Sequence, residues 1–367
     1  MLMTIFYLVL YFKVNEKTNN EFRKHQILFK KNYTYVCWRN SRDSNKMKDL
    51  VHKNHHPHLK KRAILEFLGF SLLIAFIIFQ RDILRESFKT VLEVEALFFV
   101  LLLSCYWFLL PLTALSYKLI SPKPKKIKLN TTVLAHLAGS GPGRIIPGGI
   151  GNLSISDIHL KKAGLTIEQA IGVVITNNIF GLLSNLLLLI GVLIIRPETL
   201  NIITMNISSK QLIVSFAIFI TLIVGLQWLL HVRGTRKEVS KTLTQWRLVV
   251  KHFLHQPRKV LGVLAIGLII ALIHTFMLDL SAYALGVPLN ITDALVALSF
   301  GIVVGGVFPT PGGVGGVEAG ITAALVVFNY DISTATSIAV LFRVATYWQP
   351  LIPGTLAYLY LRERKLL

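Results

Sequence analysis

Long apolar runs separated by short polar segments make up most of the chain from residue 63 onward. A transmembrane helix needs about 20 predominantly apolar residues to cross the hydrocarbon layer of a bilayer. The runs that approach or exceed this length extend over Ala63 to Phe79, Ala96 to Tyr117, Leu165 to Ile195, Gln211 to Val232, Val260 to Leu285 and Ile332 to Leu361. The pattern therefore predicts an all-α polytopic membrane protein with about six transmembrane helices.

Another apolar stretch is interrupted by FPTPGGVGGVEAG, from Phe308 to Gly320, which lies between the apolar runs Leu295 to Val307 and Ile321 to Phe328. Proline removes a backbone donor, and glycine destabilises a helix by about 1 kcal/mol per position. Two half-helices are therefore predicted to meet at a break. Inside a membrane, exposed backbone is tolerated only where protein or a water-filled cavity covers it, which makes the break a candidate site.

A second interrupted stretch, Leu134 to Ala163, contains GSGPGRIIPGGIGN from Gly139 to Asn152. Its glycines and prolines are too frequent for one crossing helix. We expect a re-entrant hairpin that enters and leaves on the cytoplasmic side, with Lys161 and Lys162 at its exit.

The distribution of lysine and arginine predicts the topology. SPKPKKIK (Ser121 to Lys128), the segment Arg233 to Lys259 and the terminal RERK are strongly basic, whereas Arg196 to Lys210 is nearly free of basic residues. Basic loops favour the cytoplasmic side. All of them lie there if the chain has six full spans and both hairpins return to their own side. The N-terminus and the C-terminus are then both cytoplasmic.

This topology divides the chain into two similar halves, at about residues 63–195 and 211–361. Each half contains span, span, hairpin, span, and PGGIG at Pro147 to Gly151 resembles PGGVG at Pro311 to Gly315. An odd number of spans per half inverts the second half relative to the first. Inverted repeats with paired broken helices are typical of secondary transporters, whose binding sites lie at the breaks.

Composition supports the membrane class, since 53% of the residues are hydrophobic and the mean hydropathy is +0.59. A soluble enzyme is thereby excluded. The formal net charge of +21 is explained by the basic arm and loops, so nucleic-acid binding is not expected. Anionic lipid at the cytoplasmic loops is the expected partner of this charge.

Residues 1–62 form a basic, poorly ordered cytoplasmic arm in this interpretation. The apolar run Leu2 to Phe12 is only about half a bilayer long, so it is not counted as a span. The arm contains four histidines close together, but no cysteine or carboxylate accompanies them and a metal site is not expected. These histidines are His52, His55, His56 and His58.

Both breaks carry residues suited to an anionic ligand. Unpaired amide groups at the start of a half-helix favour anions such as phosphate. Arg144 lies in the first break, Glu318 just after the second, and Arg343 in the last span. A charge at mid-membrane is unfavourable by about 2.5 to 3.5 kcal/mol and should pair or face a polar cavity. Glu318 and Arg343 are therefore interpreted either as substrate contacts or as a structural ion pair.

His274 and Asp279, in the fifth span, are the candidates for a proton relay. Their spacing of five residues places them on diverging helix faces, so a direct pair is not expected. The alternative for His274 is a hydrogen-bonded histidine of the bundle. Asn177 and Asn178 either line the cavity or bond across helices. His136 and Asp157, which flank the first hairpin, are expected to face water.

Two motifs carry a resemblance to a known family. PTPGGVGGVEAG (Pro309 to Gly320), with Arg343 downstream in LFRVATYWQPLIPG, resembles the signature of the lysylphosphatidylglycerol synthase transmembrane-region family, the flippase-like domain of the multiple peptide resistance factor. PGRIIPGGIGNLSISDIHLKKAG resembles the family's first motif, and the likeness covers about Ala63 to Leu367. The resemblance implies a protein of a bacterial or archaeal inner membrane that translocates lipid.

The resemblance also implies which residues are functional. By the resemblance, they are Pro311, Gly312, Gly313, Gly315, Glu318 and Arg343. The residues of the first break, considered by themselves, add Arg144, Pro147, Gly148, Gly149 and Gly151 as substrate-binding candidates. Two departures from the family pattern stand out. Asn177 and Asn178 replace a Glu-Arg pair common in the family, and nothing after Leu361 forms the soluble aminoacyl-transferase domain. Lysyl transfer is therefore not expected.

These observations predict a flippase for an anionic or aminoacylated phospholipid or a polyprenyl-phosphate-linked lipid. There is no GxxxxGK[ST] motif to bind ATP, and no cofactor is expected. One alternative is a headgroup transferase that uses Glu318 or Asp157 as base. Another is a scaffold that binds anionic lipid without moving it. Whether the chain forms a homo-oligomer is left open.

Overall fold

The computed structural model describes residues 94–144, 150–198, 249–251, 253–307, 310 and 312–367. Within these ranges every regular element is a helix. The α-helices, numbered here in chain order, are α1 (Ala96–Ile120), α2 (Leu129–Gly139), α3 (Ile150–Lys162), α4 (Ile167–Ile195), α5 (Pro257–Ala284), α6 (Ile291–Val307), α7 (Gly316–Val327), α8 (Ile332–Arg343) and α9 (Leu351–Glu363). The all-helical prediction is confirmed.

Three of these helices, α1, α4 and α5, are long and apolar enough to cross a membrane. They correspond to the predicted spans Ala96 to Tyr117, Leu165 to Ile195 and Val260 to Leu285, with ends that differ by a few residues. The predicted spans Ala63 to Phe79 and Gln211 to Val232, like the arm of residues 1–62, lie outside the described residues. The count of six spans remains a prediction.

Local sequence signals account for several helix ends. Thr166 and Gln169 form a capping box at the start of α4, the arrangement that satisfies free amide groups reciprocally. The carboxylate of Asp331 accepts from the amides of Ser333 and Thr334 at the start of α8. Pro257 occupies the first turn of α5, where a missing N–H has no consequence.

The predicted last span, Ile332 to Leu361, is helical but not one uniform α-helix, and whether it crosses as a single span remains a prediction. The α-helical hydrogen bonding of α8 ends at Arg343, a π-helical turn follows at Val344–Trp348, and α9 begins at Leu351. The amide of Gln349 donates to the carbonyl of Val344 at 2.8 Å, a bond that spans five residues. Apolar composition continues through this region, so the run concealed a change in backbone hydrogen bonding.

Both interrupted stretches consist of two helices joined by a break. α2 and α3 flank the first break, which includes a 3-10 turn at Pro142–Arg144. α6 and α7 flank the second, and a close approach of the Gly301 and Gly320 backbones packs them together. The helix–break–helix order agrees with the prediction, whereas the depth of the breaks in a membrane remains a prediction.

The two breaks are reached from opposite ends of the molecule. His159, near the end of α3, contacts Thr132 in the first turn of α2, with 3.1 Å between Nε2 and Oγ1. The second helix pair also starts and ends at one place, because Tyr330, which follows α7, donates to the carbonyl of Pro288 just before α6 at 3.1 Å. α4 starts just after α3, at the end that holds His159, and its far end meets α6, where Arg196 donates to Thr292 at 3.3 Å. The second pair therefore starts and ends at the opposite end of the molecule.

The end that holds His159 is basic. The C-terminal Leu366 lies beside His159, which brings the terminal RERK next to the segment that leads into α2 and to the exit of α3. The cations grouped at this end are Lys123, Lys125, Lys126, Lys128, Lys161, Lys162, Arg362, Arg364 and Lys365. Basic charge in the described part of the molecule is therefore concentrated at one end of the helix bundle.

Candidate functional site

An ion pair links Glu318, just after the second break, to Arg343 at the end of α8. Arg343 Nε donates to Glu318 Oε1 at 2.9 Å, with side-chain exposures of 10% and 14%. Arg343 Nη2 also donates to the carbonyl of Gly312 at 2.9 Å, and the amide of Gly315 donates to Glu318 Oε2 at 2.8 Å. The pair therefore joins the Gly312 to Gly315 turn to α8, which is the ion pair of the structural interpretation, while contact with a substrate remains a prediction.

The glycines of this turn are required by the backbone. Gly312, Gly313 and Gly315 have φ of 59°, 69° and 84°, values that residues with a Cβ adopt only with strain. A Cβ on Gly312 would also collide with the ring of Tyr347. The turn thus brings bare backbone against an aromatic ring and against a guanidinium group.

Arg144, from the first break, reaches the second half of the chain. Its Nη1 donates to the carbonyl of Thr346 at 2.6 Å and to that of Tyr347 at 3.0 Å. No carboxylate pairs with Arg144 in the described ranges. The guanidinium therefore carries an uncompensated positive charge where the two breaks meet.

The Tyr347 ring lies close to both guanidinium groups. The Cζ atoms of Arg343 and Arg144 are 4.5 Å and 5.3 Å from its centroid, within the range of cation–π attraction. Two cations, one carboxylate and one aromatic ring thus form a cluster, here called the central cluster: Arg144, Arg343, Glu318 and Tyr347. It brings together residues from both interrupted stretches and from the π-helical turn.

The amide side chain of Gln349, two residues after Tyr347, contacts α1. Its Nε2 donates to the carbonyl of Leu103 in α1 at 3.1 Å. Its Oε1 is buried and has no hydrogen-bond partner among the described residues. Nearby, the hydroxyl groups of Tyr106 and Ser140 are hydrogen-bonded at 2.9 Å. The surroundings of Arg144 therefore contain polar groups contributed by α1.

The structure places the predicted binding residues unequally. Arg144, Gly312, Glu318 and Arg343 belong to the central cluster or contact it. Gly151 instead makes a close backbone contact with Gly143 that closes the first break, and a Cβ would not fit there. Gly313 and Gly315 belong to the turn beside the central cluster, and the amide of Gly315 contacts Glu318. The other four predicted residues, Pro147, Gly148, Gly149 and Pro311, lie outside the described residues.

The candidates for a proton relay are separate from each other. His274 Nδ1 donates to the carbonyl of Ile270 at 2.9 Å, and its ring lies 6.5 Å from that of Phe342, next to Arg343. Asp279 lies farther along α5 and is partly buried. His274 is thus a hydrogen-bonded histidine of the bundle that adjoins the central cluster, while a relay remains a hypothesis.

Other sequence-level candidates have structural partners. Asn177 accepts from the hydroxyl of Ser116 at 2.6 Å, which is a bond across α4 and α1. Asn178 is exposed at the surface of α4. The expectation that Asp157 faces water is wrong, because it is 3% exposed and forms an ion pair with Lys161 at 3.0 Å. That pair lies at the basic end, away from the breaks.

Tyr347 and Thr346 are the site residues that the sequence interpretation missed. An apolar run with one arginine gave no reason to single out a tyrosine four residues later. The available signal was Pro350, which has no N–H for the carbonyl four residues earlier and so predicts a freed backbone acceptor at Thr346.

Comparison with known protein families gives a match over most of the chain. The model of the family described as "Lysylphosphatidylglycerol synthase TM region" matches residues 64–354, which include both breaks and the whole central cluster. The family consists of membrane domains associated with lipid flippase and synthase functions. No curated protein matches the chain. By the extent of the family match, this chain belongs to the lysylphosphatidylglycerol synthase TM region family.

Proposed function

We propose that the protein is a lipid translocator that moves an anionic or aminoacylated phospholipid, or a polyprenyl-phosphate-linked lipid, between the leaflets of a bacterial or archaeal inner membrane. The headgroup binds at the central cluster while the acyl or prenyl chains stay in the bilayer. The observation that carries the proposal is that Arg144 of the first break and Arg343, the ion-pair partner of Glu318, both lie within cation–π range of the same Tyr347 ring.

The charge of the central cluster supports an anionic ligand. The cluster contains two guanidinium groups and one carboxylate, and only Arg343 pairs with that carboxylate, which leaves the charge of Arg144 uncompensated among the described residues. In a water-poor environment a buried charge without a partner is strongly unfavourable. A phosphate group would offset that charge and accept from the remaining N–H groups of Arg144.

The direction of the helix pairs supports alternating exposure of the site. α2 and α3 leave and return to the basic end, whereas α6 and α7 leave and return to the opposite end. Each break can therefore be reached along its own helix pair from a different side. Rocking of one half against the other would open the cluster to one leaflet at a time.

The basic end supports the predicted orientation with both termini in the cytoplasm. Lysine and arginine close to membrane spans favour the cytoplasmic side and attract anionic lipid headgroups. The basic end would thus concentrate anionic lipid next to the entrance formed by α2 and α3. A scaffold without transport would share this attraction but has no need for cations at the central cluster.

Lipid exchange in vesicles that contain the purified protein tests the proposal. The accessible fraction of labelled phosphatidylglycerol, its lysyl derivative and a polyprenyl phosphate is followed after the outer leaflet is quenched. We expect faster exchange of one lipid, loss of that exchange in Arg144→Ala, and partial recovery in Arg144→Lys, which keeps the charge. Arg196→Ala, an exposed arginine at the far end of α4, is the matched control.

No exchange of any of the three lipids by folded wild-type protein contradicts translocation of these substrates. Equal exchange by wild type and Arg144→Ala contradicts the assignment of the site. Lipid binding that is lost at high salt, without any exchange, would favour the scaffold.

A further inference from the structure

The backbone carbonyl of Thr346, next to the central cluster, lacks its helical donor because of a proline four residues later. In an α-helix the carbonyl of Thr346 would accept from the N–H of residue 350, but that residue is Pro350 and has no N–H. The donor that replaces it is Arg144 Nη1, at 2.6 Å. The freed acceptor belongs to the second half of the chain and its donor to the first.

The π-helical turn at Val344–Trp348 places that carbonyl where Arg144 can reach it. Widening of the helix shifts the hydrogen bonding by one residue, as the bond from Gln349 N to the carbonyl of Val344 shows. The neighbouring carbonyl of Tyr347 accepts from the same Nη1 at 3.0 Å. Single π-helical turns inside α-helices occur frequently at functional sites.

The Tyr347 ring completes the restraint on Arg144. Its centroid is 5.3 Å from Arg144 Cζ and 4.5 Å from Arg343 Cζ, so the ring is within cation–π range of both guanidinium groups. The hydrogen bonds of Arg144 within the described residues both use Nη1. The geometry thus fixes one end of the guanidinium and leaves Nε and Nη2 to donate to a ligand.

We propose that Pro350 and Tyr347 are positioning residues that hold Arg144 in the orientation in which it binds a lipid phosphate. The inference rests on the proposed function and adds a specific device to it. The cation, Arg144, belongs to the first break, but its orientation is set by Thr346 and Tyr347 in the second half of the chain.

The substitution Pro350→Ala tests the device, because it returns an N–H that competes with Arg144 for the carbonyl of Thr346. We expect the apparent KM for phosphatidylglycerol exchange to rise about tenfold, the loss that corresponds to one charge-assisted hydrogen bond, while the maximal rate changes little. Pro353→Ala is the matched control, since it changes another proline of α9 whose missing N–H does not face Thr346.

Tyr347→Leu should raise the apparent KM in the same way, because it removes the ring. Tyr347→Phe keeps the ring and should recover most of the affinity that Tyr347→Leu loses. A purely structural role would instead lower the amount of folded protein or the maximal rate. Tyr347→Phe and Tyr347→Leu would then have the same apparent KM.

A second readout does not depend on transport. Phenylglyoxal modifies accessible guanidinium groups, and mass spectrometry of the full chain gives the labelling rate of Arg144 relative to exposed Arg196. We expect Pro350→Ala to raise this ratio and Pro353→Ala to leave it near the wild-type value. This measurement stands even if none of the tested lipids is exchanged.

Unchanged KM and unchanged labelling in Pro350→Ala would overturn the inference and leave the proposed function intact. Equal effects of Pro350→Ala and Pro353→Ala would also overturn it, since a general change in α9 would then suffice. If wild-type protein exchanges no lipid but Pro350→Ala exposes Arg144, the proposed function fails while the positioning of Arg144 holds.

Discussion

At the scale of single residues, the turn at Gly312 is the most constrained point of the site. A Cβ at this position meets two penalties, a φ of 59° and the ring of Tyr347. The conformational term alone is about 1 to 2 kcal/mol for a residue other than glycine. Movement of the Tyr347 ring would relieve the collision but not the strain in φ.

We expect Gly312→Ala to lower the thermal midpoint of the purified protein by several degrees, with loss of any ligand-induced stabilisation. Gly306→Ala is the control, because Gly306 has no atom within 4 Å of its would-be Cβ and alanine favours a helix over glycine by about 1 kcal/mol. Equal midpoints for the two variants would contradict the packing of Tyr347 on Gly312.

The Glu318–Arg343 pair predicts strong coupling between its members. Removing one partner of a buried pair leaves an uncompensated charge and destabilises a protein by about 3 to 5 kcal/mol, whereas replacing both is often nearly neutral. We expect Glu318→Gln and Arg343→Met each to destabilise the fold, and the double variant to be more stable than the sum of both effects implies. Denaturation of all four proteins in one detergent measures this coupling energy.

A double variant that folds well also separates structure from binding. If its stability is restored but lipid exchange is absent, the pair contributes to the substrate site in addition to holding the turn. Additive destabilisation, with no coupling, would mean that the 2.9 Å contact makes no energetic contribution.

At the scale of elements, hydropathy predicted what depends on composition. α1, α4 and α5 are continuous apolar segments bounded by polar or basic residues, so their existence and approximate ends followed from the sequence. The π-helical turn in the last run depends on backbone hydrogen bonding around Pro350, which hydropathy does not report. The contact of Glu318 with Arg343 could be named only as one of two alternatives, because it forms between separate helices.

Arg144 shows the same limit more sharply. Its position in the first break was evident, but its acceptors lie 202 and 203 residues away in sequence. No local pattern indicates such a contact. Only the packing of α2 and α9 brings Arg144 to Thr346.

That packing depends on a contact between two glycines, Gly141 and Gly354, and yields an element-scale prediction. A Cβ on Gly354 would lie 2.5 Å from the carbonyl oxygen of Leu137 and 2.6 Å from the amide of Gly141. We therefore expect Gly354→Ala to push α9 away from α2 and to impair both thermal stability and lipid exchange. Gly181→Ala, at a helical glycine with open space around it, should be neutral or slightly stabilising, and equal behaviour of both would contradict the close contact.

At the scale of the whole molecule, the arrangement of helix pairs predicts which loops share a side. Lys162 and Arg364 lie at the basic end, whereas Asn290 lies at the opposite end next to Pro288. In a variant whose natural cysteines Cys37 and Cys105 are replaced, Lys162→Cys and Arg364→Cys should react with a membrane-impermeant maleimide only from the cytoplasmic side. Asn290→Cys should react only from the other side, and labelling of all three from one side would contradict the opposed helix pairs.

The bond from Arg144 to Thr346 also has a consequence for biosynthesis. A chain grows from its N-terminus, so Arg144 is synthesised long before the carbonyl that it binds. If the first break enters the membrane as predicted, burial of this arginine is unfavourable by about 2.5 to 3.5 kcal/mol until that carbonyl is in place. A nascent chain that stopped before residue 346 would then keep an unsatisfied cation, by which quality-control proteases would distinguish unfinished copies from complete ones.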